Sequence, residues 1–218
     1  MTLEEQLKLD DGHRFQKKLG ELVTETKSKV IMETGSGVSS IYMLKALDDV
    51  NIDGKVHSID IGMWYPHKID HPKFDQIKAK SVEAILPLYL STGAFDIAVS
   101  DGCHEILEQT YEYEMMFATL KPGGYLIIDD ANWNNNGAWQ AFLDRYNLKD
   151  DYFGDARIIQ KRIDLLPLGV EYNYTFGDPV KTFNESVVYG FHTKWLAHCE
   201  QLEKEWLAAG NKKHPAFE

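Results

Sequence analysis

Cysteine is scarce in this chain: Cys103 and Cys199 are the only two among 218 residues. Two cysteines in no spaced framework exclude a disulfide scaffold, suggest a reducing compartment and leave no thiolate cluster for zinc. Net positive charge is missing as well. Lys and Arg total 23 against 34 Asp and Glu, a formal charge of −11, so a phosphate backbone or an anionic membrane would be repelled over most of the surface. Neither nucleic acid nor a membrane is expected as a partner. No apolar run is long enough to span a bilayer, and Met1-Thr2-Leu3-Glu4-Glu5 lacks the basic and apolar regions of a signal peptide. The expectation is a cytoplasmic protein.

What is present is enough hydrophobic residue, 44%, to bury a full core. No internal repeat, low-complexity tract or linker interrupts the chain, so a single domain is expected over 1–218. It divides into an N-terminal helical cap (1–28), a core (29–192) and a C-terminal helix (193–218). Thr2 with Glu5 forms a capping-box pattern, and Leu3, Leu7, Phe15, Leu19, Leu22 and Val23 follow at near-helical spacing, broken by Asp10-Asp11-Gly12. Short β-rich runs then alternate with helical ones. Strands are predicted at 30–33, 55–60, 76–79, 95–101 and 125–130, with helices at 40–47, 81–89 and 105–120. This alternation predicts an α/β fold, a Rossmann-like and mostly parallel sheet with helices on both faces. Beyond Asp130 come a Trp- and Asn-rich loop, a short helix over 138–146, and β-type stretches near 164–176 and 186–192 that suit an antiparallel hairpin at the sheet edge. From Trp195, the residues Leu196, Cys199, Leu202, Trp206 and Leu207 share one face of a last helix. That face suits the core or a partner, so a homo-oligomer stays open.

The first predicted strand ends in Glu33 and runs into Thr34-Gly35-Ser36-Gly37-Val38-Ser39-Ser40. Glycines there allow positive φ and let a ligand lie against bare backbone. Ser39 and Ser40 are placed to cap the next helix and present N–H groups. A dinucleotide fingerprint needs a third Gly or Ala where Ser40 stands, and an acid at Glu33 gains nothing beside a pyrophosphate, which counts against a nicotinamide-dependent oxidoreductase. The ligand must carry positive charge or donate hydrogen bonds. A second acid, Asp60, ends Lys55-Val56-His57-Ser58-Ile59-Asp60, and a carboxylate suits a vicinal diol because it accepts two hydrogen bonds at once.

This acid-x-Gly-x-Gly turn followed by a second strand-ending acid resembles the class I S-adenosylmethionine-dependent methyltransferases. The resemblance implies that Glu33, Gly35, Ser36, Gly37 and Ser39 hold the donor, that Asp60 takes its ribose hydroxyls, and that Ser81 lies near its adenine. A helix N-cap is an equally natural role for Ser81.

Three further acids stand at strand ends: Asp101, in Val99-Ser100-Asp101-Gly102-Cys103-His104, and Asp129-Asp130, after Gly123-Gly124-Tyr125-Leu126-Ile127-Ile128. In a doubly wound sheet they converge on one edge with Glu33 and Asp60. Clustered carboxylates repel unless neutralised, and all-oxygen ligation favours Mg²⁺, Mn²⁺ or Ca²⁺ over zinc. Capping explains each acid singly, but not all three together. The Asp-Gly and Gly-Gly-Tyr-Leu-Ile-Ile-Asp-Asp strings resemble the metal-dependent macrolide and aminocoumarin sugar O-methyltransferases over about residues 30 to 130. Catechol O-methyltransferases match less well, because their final Asp-Asn pair falls on Asp130 and Ala131. The closer resemblance implies Asp101, Asp129 and Asp130 as ligands of a divalent cation such as Mg²⁺, and direct methyl transfer to a hydroxyl of a small-molecule substrate. Asp101 (which also borders the donor) and His104 are the candidate bases. Trp133 and Trp64, in loops on the presumed ligand side, are candidate substrate contacts or simply loop packing. A metal-free methyltransferase and a donor-binding module without turnover are the alternatives.

Overall fold

A computed structural model of the chain describes residues 2–9, 12, 14–62, 68–102, 106–131 and 137–161. Two N-terminal helices, α1 (Leu3–Leu9) and α2 (Arg14–Thr26), precede the first strand. The predicted capping box is present: the Thr2 amide donates to Glu5 Oε2 at 2.7 Å and the Glu5 amide to Thr2 Oγ1 at 3.2 Å. The alternating core follows as β1 (Val30–Thr34), α3 (Val38–Asp49), β2 (Lys55–Asp60), β3 (Phe74–Lys78), α4 (Ser81–Thr92), β4 (Phe95–Ser100), α5 (Ile106–Thr119) and β5 (Leu120–Ile128). Then come α6 (Ala138–Tyr146), β6 (Asp151–Phe153) and β7 (Ala156–Gln160). No helix among the described residues is long and apolar enough to cross a membrane.

The seven strands form one sheet in the order β3-β2-β1-β4-β5-β7-β6. The first five pair in parallel, and β7 joins β5 and β6 antiparallel, so the sheet is Rossmann-like with an antiparallel edge. The strand order reverses direction between β1 and β4, which opens a crevice at their carboxyl ends. Alternation along each strand assigns the two faces. Ile31, Ile97, Val99 and Ile127 pack into one core with Phe15 and Leu19 of α2 and Ile41 and Leu44 of α3. Thr34 and Ser100 point the other way, where both bond to Glu112 of α5. Helices therefore cover both faces.

Element ends shift by up to three residues, β3 starting at Phe74 rather than Gln76 and α4 running to Thr92 rather than Tyr89, and two stretches differ further. The predicted helix to Leu120 stops at Thr119, and Leu120 to Gly124 belong to β5 rather than to a turn before it. There the ladder slips: Phe95 pairs with Leu120 but Ile97 with Tyr125, and Gly123 takes φ 84 in the bulge between. The antiparallel edge is formed by 151–160; the stretches 164–176 and 186–192 and the helix from Trp195 lie outside the described residues.

Candidate functional site

Backbone hydrogen bonds carry the parallel ladders one residue past the strand ends. The Gly35 amide donates to the Ile59 carbonyl at 2.9 Å, the Asp101 amide to Thr34 at 3.1 Å, and the Asp129 amide to Ser100 at 3.0 Å. The segments carrying Asp60, Gly35, Asp101 and Asp129 are thus aligned side by side at one sheet edge, as the parallel topology requires. Gly35 holds φ +80, and a Cβ there would lie 2.1 Å from the Asp101 carbonyl oxygen. Only glycine permits both that backbone and that approach.

The turn and Asp60 are already joined. Asp60 Oδ2 accepts the Ser36 amide at 2.9 Å and the Ser36 hydroxyl at 3.0 Å, and Oδ1 accepts the Gly62 amide at 2.8 Å. Gln76 extends the chain, its Nε2 donating to Ser36 Oγ at 3.2 Å. Glu33 is fully buried and accepts the hydroxyls of Ser39, at 2.8 Å, and Ser40. Burial pushes its carboxyl up to about 7, against the pull of the hydroxyls of Ser40, Ser39 and Ser58, with the nearby Asp60 charge adding to the rise. The helix begins earlier than the serines suggest: Val38 is its first residue, after Gly37. Ser39 and Ser40 therefore sit inside the first turn and brace Glu33, rather than capping from outside.

Across the crevice, Asp101 and Asp129 form a carboxyl pair linked by a side-chain hydrogen bond. Burial raises Asp101 well above the usual carboxylate range, and the charges of Asp129, Glu33 and Asp130 raise it further. Asp129 is raised by its own burial and by Asp130, which holds a left-handed φ of 48. Two hydrogen-bonded carboxyls imply a proton between them, or a cation in its place.

Residues 32–131 match a family described as a methyltransferase domain. That match covers 100 of the 218 residues. Among solved structures it is similar to the MycE methyltransferase from the mycinamycin biosynthetic pathway in complex with Mg and SAH. The TM-score is 0.53 at 16% identity, over 66% of this chain and 48% of that one, so the chain spans about half of MycE's length. It is also similar to the O-methyltransferase from Bacillus cereus in complex with SAH, with a TM-score of 0.53 at 14% identity over 72% of this chain and 88% of that one. The O-methyltransferase TomG from Streptomyces achromogenes, involved in tomaymycin synthesis and solved with SAM, gives 0.51 at 16% identity over 66% and 77%. At such identities these likenesses establish a shared fold. No curated protein matches the chain.

Within the matched segment, the predicted donor residues Glu33, Gly35, Ser36, Gly37, Ser39 and Asp60 come together at the β1 and β2 ends, and Ser81 opens α4. His104, Trp64 and Trp133 lie outside the described residues. Among the described residues, no group of three His, Cys, Asp or Glu side chains is arranged to hold a metal ion. The Asp101–Asp129 pair supplies two hard oxygen donors, with the Asp130 charge felt at both, and that donor chemistry suits Mg²⁺.

One buried acid at this edge went unnoticed in the sequence. Glu112 of α5 is 1% exposed, and its Oε2 accepts the Thr34 hydroxyl at 3.0 Å and the Ser100 hydroxyl at 2.8 Å. Its sequence signal is an acid set between two tyrosines, Tyr111 and Tyr113, in a helix that runs on into Met115-Met116-Phe117.

Proposed function

We propose that the domain methylates a hydroxyl of a small hydroxylated metabolite, sugar-like or a natural product. In this reading the donor lies on the Gly35-Ser36-Gly37 turn. Asp60 takes the ribose hydroxyls by exchanging bonds it now makes to Ser36 and Gly62. Ser81 borders the adenine, and Glu33 acts from behind by fixing the first turn of α3. Bound S-adenosylmethionine supplies the electrophilic methyl group.

The observation that carries the proposal is the Asp101–Asp129 pair beside the donor turn. Gly35 approaches the Asp101 backbone so closely that no larger residue fits, which supports reading the carboxyl pair as a neighbour of the donor. A carboxyl held above its ordinary range by burial and like charges is a stronger base than a free carboxylate. Asp101 would accept the hydroxyl proton as the methyl passes from sulfur to oxygen, with His104 the second candidate base. Trp133 and Trp64 would line the acceptor site.

Asp101, Asp129 and Asp130 would hold a divalent cation, Mg²⁺, and such an ion would neutralise the acids and lower the pKa of the substrate hydroxyl. The Mg and SAH in the MycE structure are in keeping with this. Metal-free transfer is the second reading, favoured by the hydrogen bond between the two carboxyls and by the absence of a three-ligand group among the described residues.

The test is release of S-adenosylhomocysteine from S-adenosylmethionine with a panel of hydroxylated acceptors, before and after exhaustive EDTA treatment. Turnover lost to EDTA and restored by Mg²⁺ is expected. Turnover that survives chelation selects the metal-free reading. Calorimetric donor binding with no turnover on any acceptor would instead mark a binding module.

A further inference from the structure

The Glu112 carboxylate is buried, and among the described residues no basic side chain is one of the groups that set its ionisation. Its partners are hydroxyls: Thr34 at 3.0 Å, Ser100 at 2.8 Å and, as a third, Ser81. A buried carboxylate satisfied only by hydroxyls is a costly way to pack a helix against a sheet, where an apolar side chain would serve. The placement of the three partners suggests what the acid is for. Thr34 is the last residue of β1, one before Gly35. Ser100 is the last of β4, one before Asp101. Ser81 is the first of α4. Tyr111, the preceding residue on α5, adds a second tie to the head of α4 by donating its hydroxyl to the Val82 carbonyl at 3.0 Å.

We propose that Glu112 is a positioning residue of the donor site, holding the β1 turn, the β4 end and the head of α4 in one fixed arrangement. It does not touch the donor. It acts through the backbone of Gly35, Asp101 and Ser81, whose separation decides whether donor and acceptor groups meet. This inference rests on the reading of those segments as the donor site.

The geometry separates positioning from plain stability. In Glu112→Gln the volume is kept, and the hydroxyls can rotate to donate to the amide oxygen or accept from its NH₂, so the tie is partly preserved. In Glu112→Leu all three hydroxyls lose their acceptor together. Thr34→Val with Ser100→Ala removes two of the donors while leaving the acid.

Titration calorimetry with S-adenosylhomocysteine, alongside thermal unfolding, tests the idea. Glu112→Leu and the Thr34→Val/Ser100→Ala double variant should each weaken binding about tenfold or more, with Glu112→Gln intermediate. Phe142→Leu, in the ring cluster between α5 and α6, serves as a control that lowers stability away from the site. It should leave affinity unchanged. Should Glu112→Leu fail to fold, Glu112→Gln and the hydroxyl variants still decide the matter. Affinities within about twofold of wild type in these variants, or an equal loss in the control at equal melting temperature, would overturn the inference. A wild-type protein that does not bind S-adenosylhomocysteine would overturn the donor-site reading first, and this inference with it.

Discussion

Asp101 and Asp129 meet at the carboxyl ends of β4 and β5, and their side chains share a hydrogen bond. Such a pair is a liability to the fold, because burial and like charge both work against ionising it. Replacing one member with the isosteric amide should therefore relieve repulsion while destroying the site. Asp129→Asn is expected to match or exceed wild-type stability in urea, by up to about 1 kcal/mol at neutral pH, and to lose Mn²⁺ binding measured by calorimetry. A variant less stable than wild type that still binds Mn²⁺ as tightly would contradict this account of the pair.

Gly35 offers a sharper test of the turn. Its φ of +80 costs an L-residue roughly 1–2 kcal/mol, and the added Cβ would meet the Asp101 carbonyl at 2.1 Å. β1 and β4 are hydrogen-bonded neighbours, so relief requires the turn or the β4 end to move. Gly35→Ala should lower the melting temperature and abolish calorimetric binding of S-adenosylhomocysteine. Gly93, also at positive φ but with open space where its Cβ would lie, gives the contrast: Gly93→Ala pays only the backbone term and keeps binding. Equal binding by both variants would show that the approach of Gly35 to Asp101 is not what shapes the site.

The inner strands of the parallel core were legible because β1, β2, β4 and the end of β5 are buried and carry apolar residues, with a polar residue at or just past each end. Glu33, Asp60, Asp101 and Asp129 stand out for that reason. The β5 entry was not legible: Leu120 continues the apolar pattern of α5 and Pro122-Gly123-Gly124 reads as a turn, while only the partner strand shows that pairing persists through a bulge. The β6–β7 hairpin was hidden by its brevity, three and five residues, and by partners as distant as Leu126 for Ile159. Partners of the buried acids were hidden too. Thr34 and Glu112 are 78 residues apart, and nothing local announces that their side chains meet. The strand-end acids thus outline the site, while the hydroxyls that hold them belong to tertiary structure.

Glu33 and Glu112 also set a pH dependence of known sign. Burial pushes each carboxyl up to about 7, from an ordinary value of 4.5. The folded chain therefore keeps these protons at pH values where the unfolded chain has released them. The stabilisation this gives is complete below about 4.5 and is lost as pH rises through about 7, at roughly 3 kcal/mol for each group. Asp96 works oppositely: bonds from Lys121 and the Val30 and Lys29 amides hold it low despite burial, so its contribution is lost on acidification. The total curve mixes both signs, and a difference between two proteins isolates one of them. Glu33→Gln cannot ionise, so its unfolding free energy in urea should fall less than that of wild type between about pH 5 and about pH 7.5, with a gap of about 2 kcal/mol. Parallel curves for the two proteins would mean that Glu33 is ionised in the folded state throughout, with its serine hydroxyls fully offsetting the cost of burial.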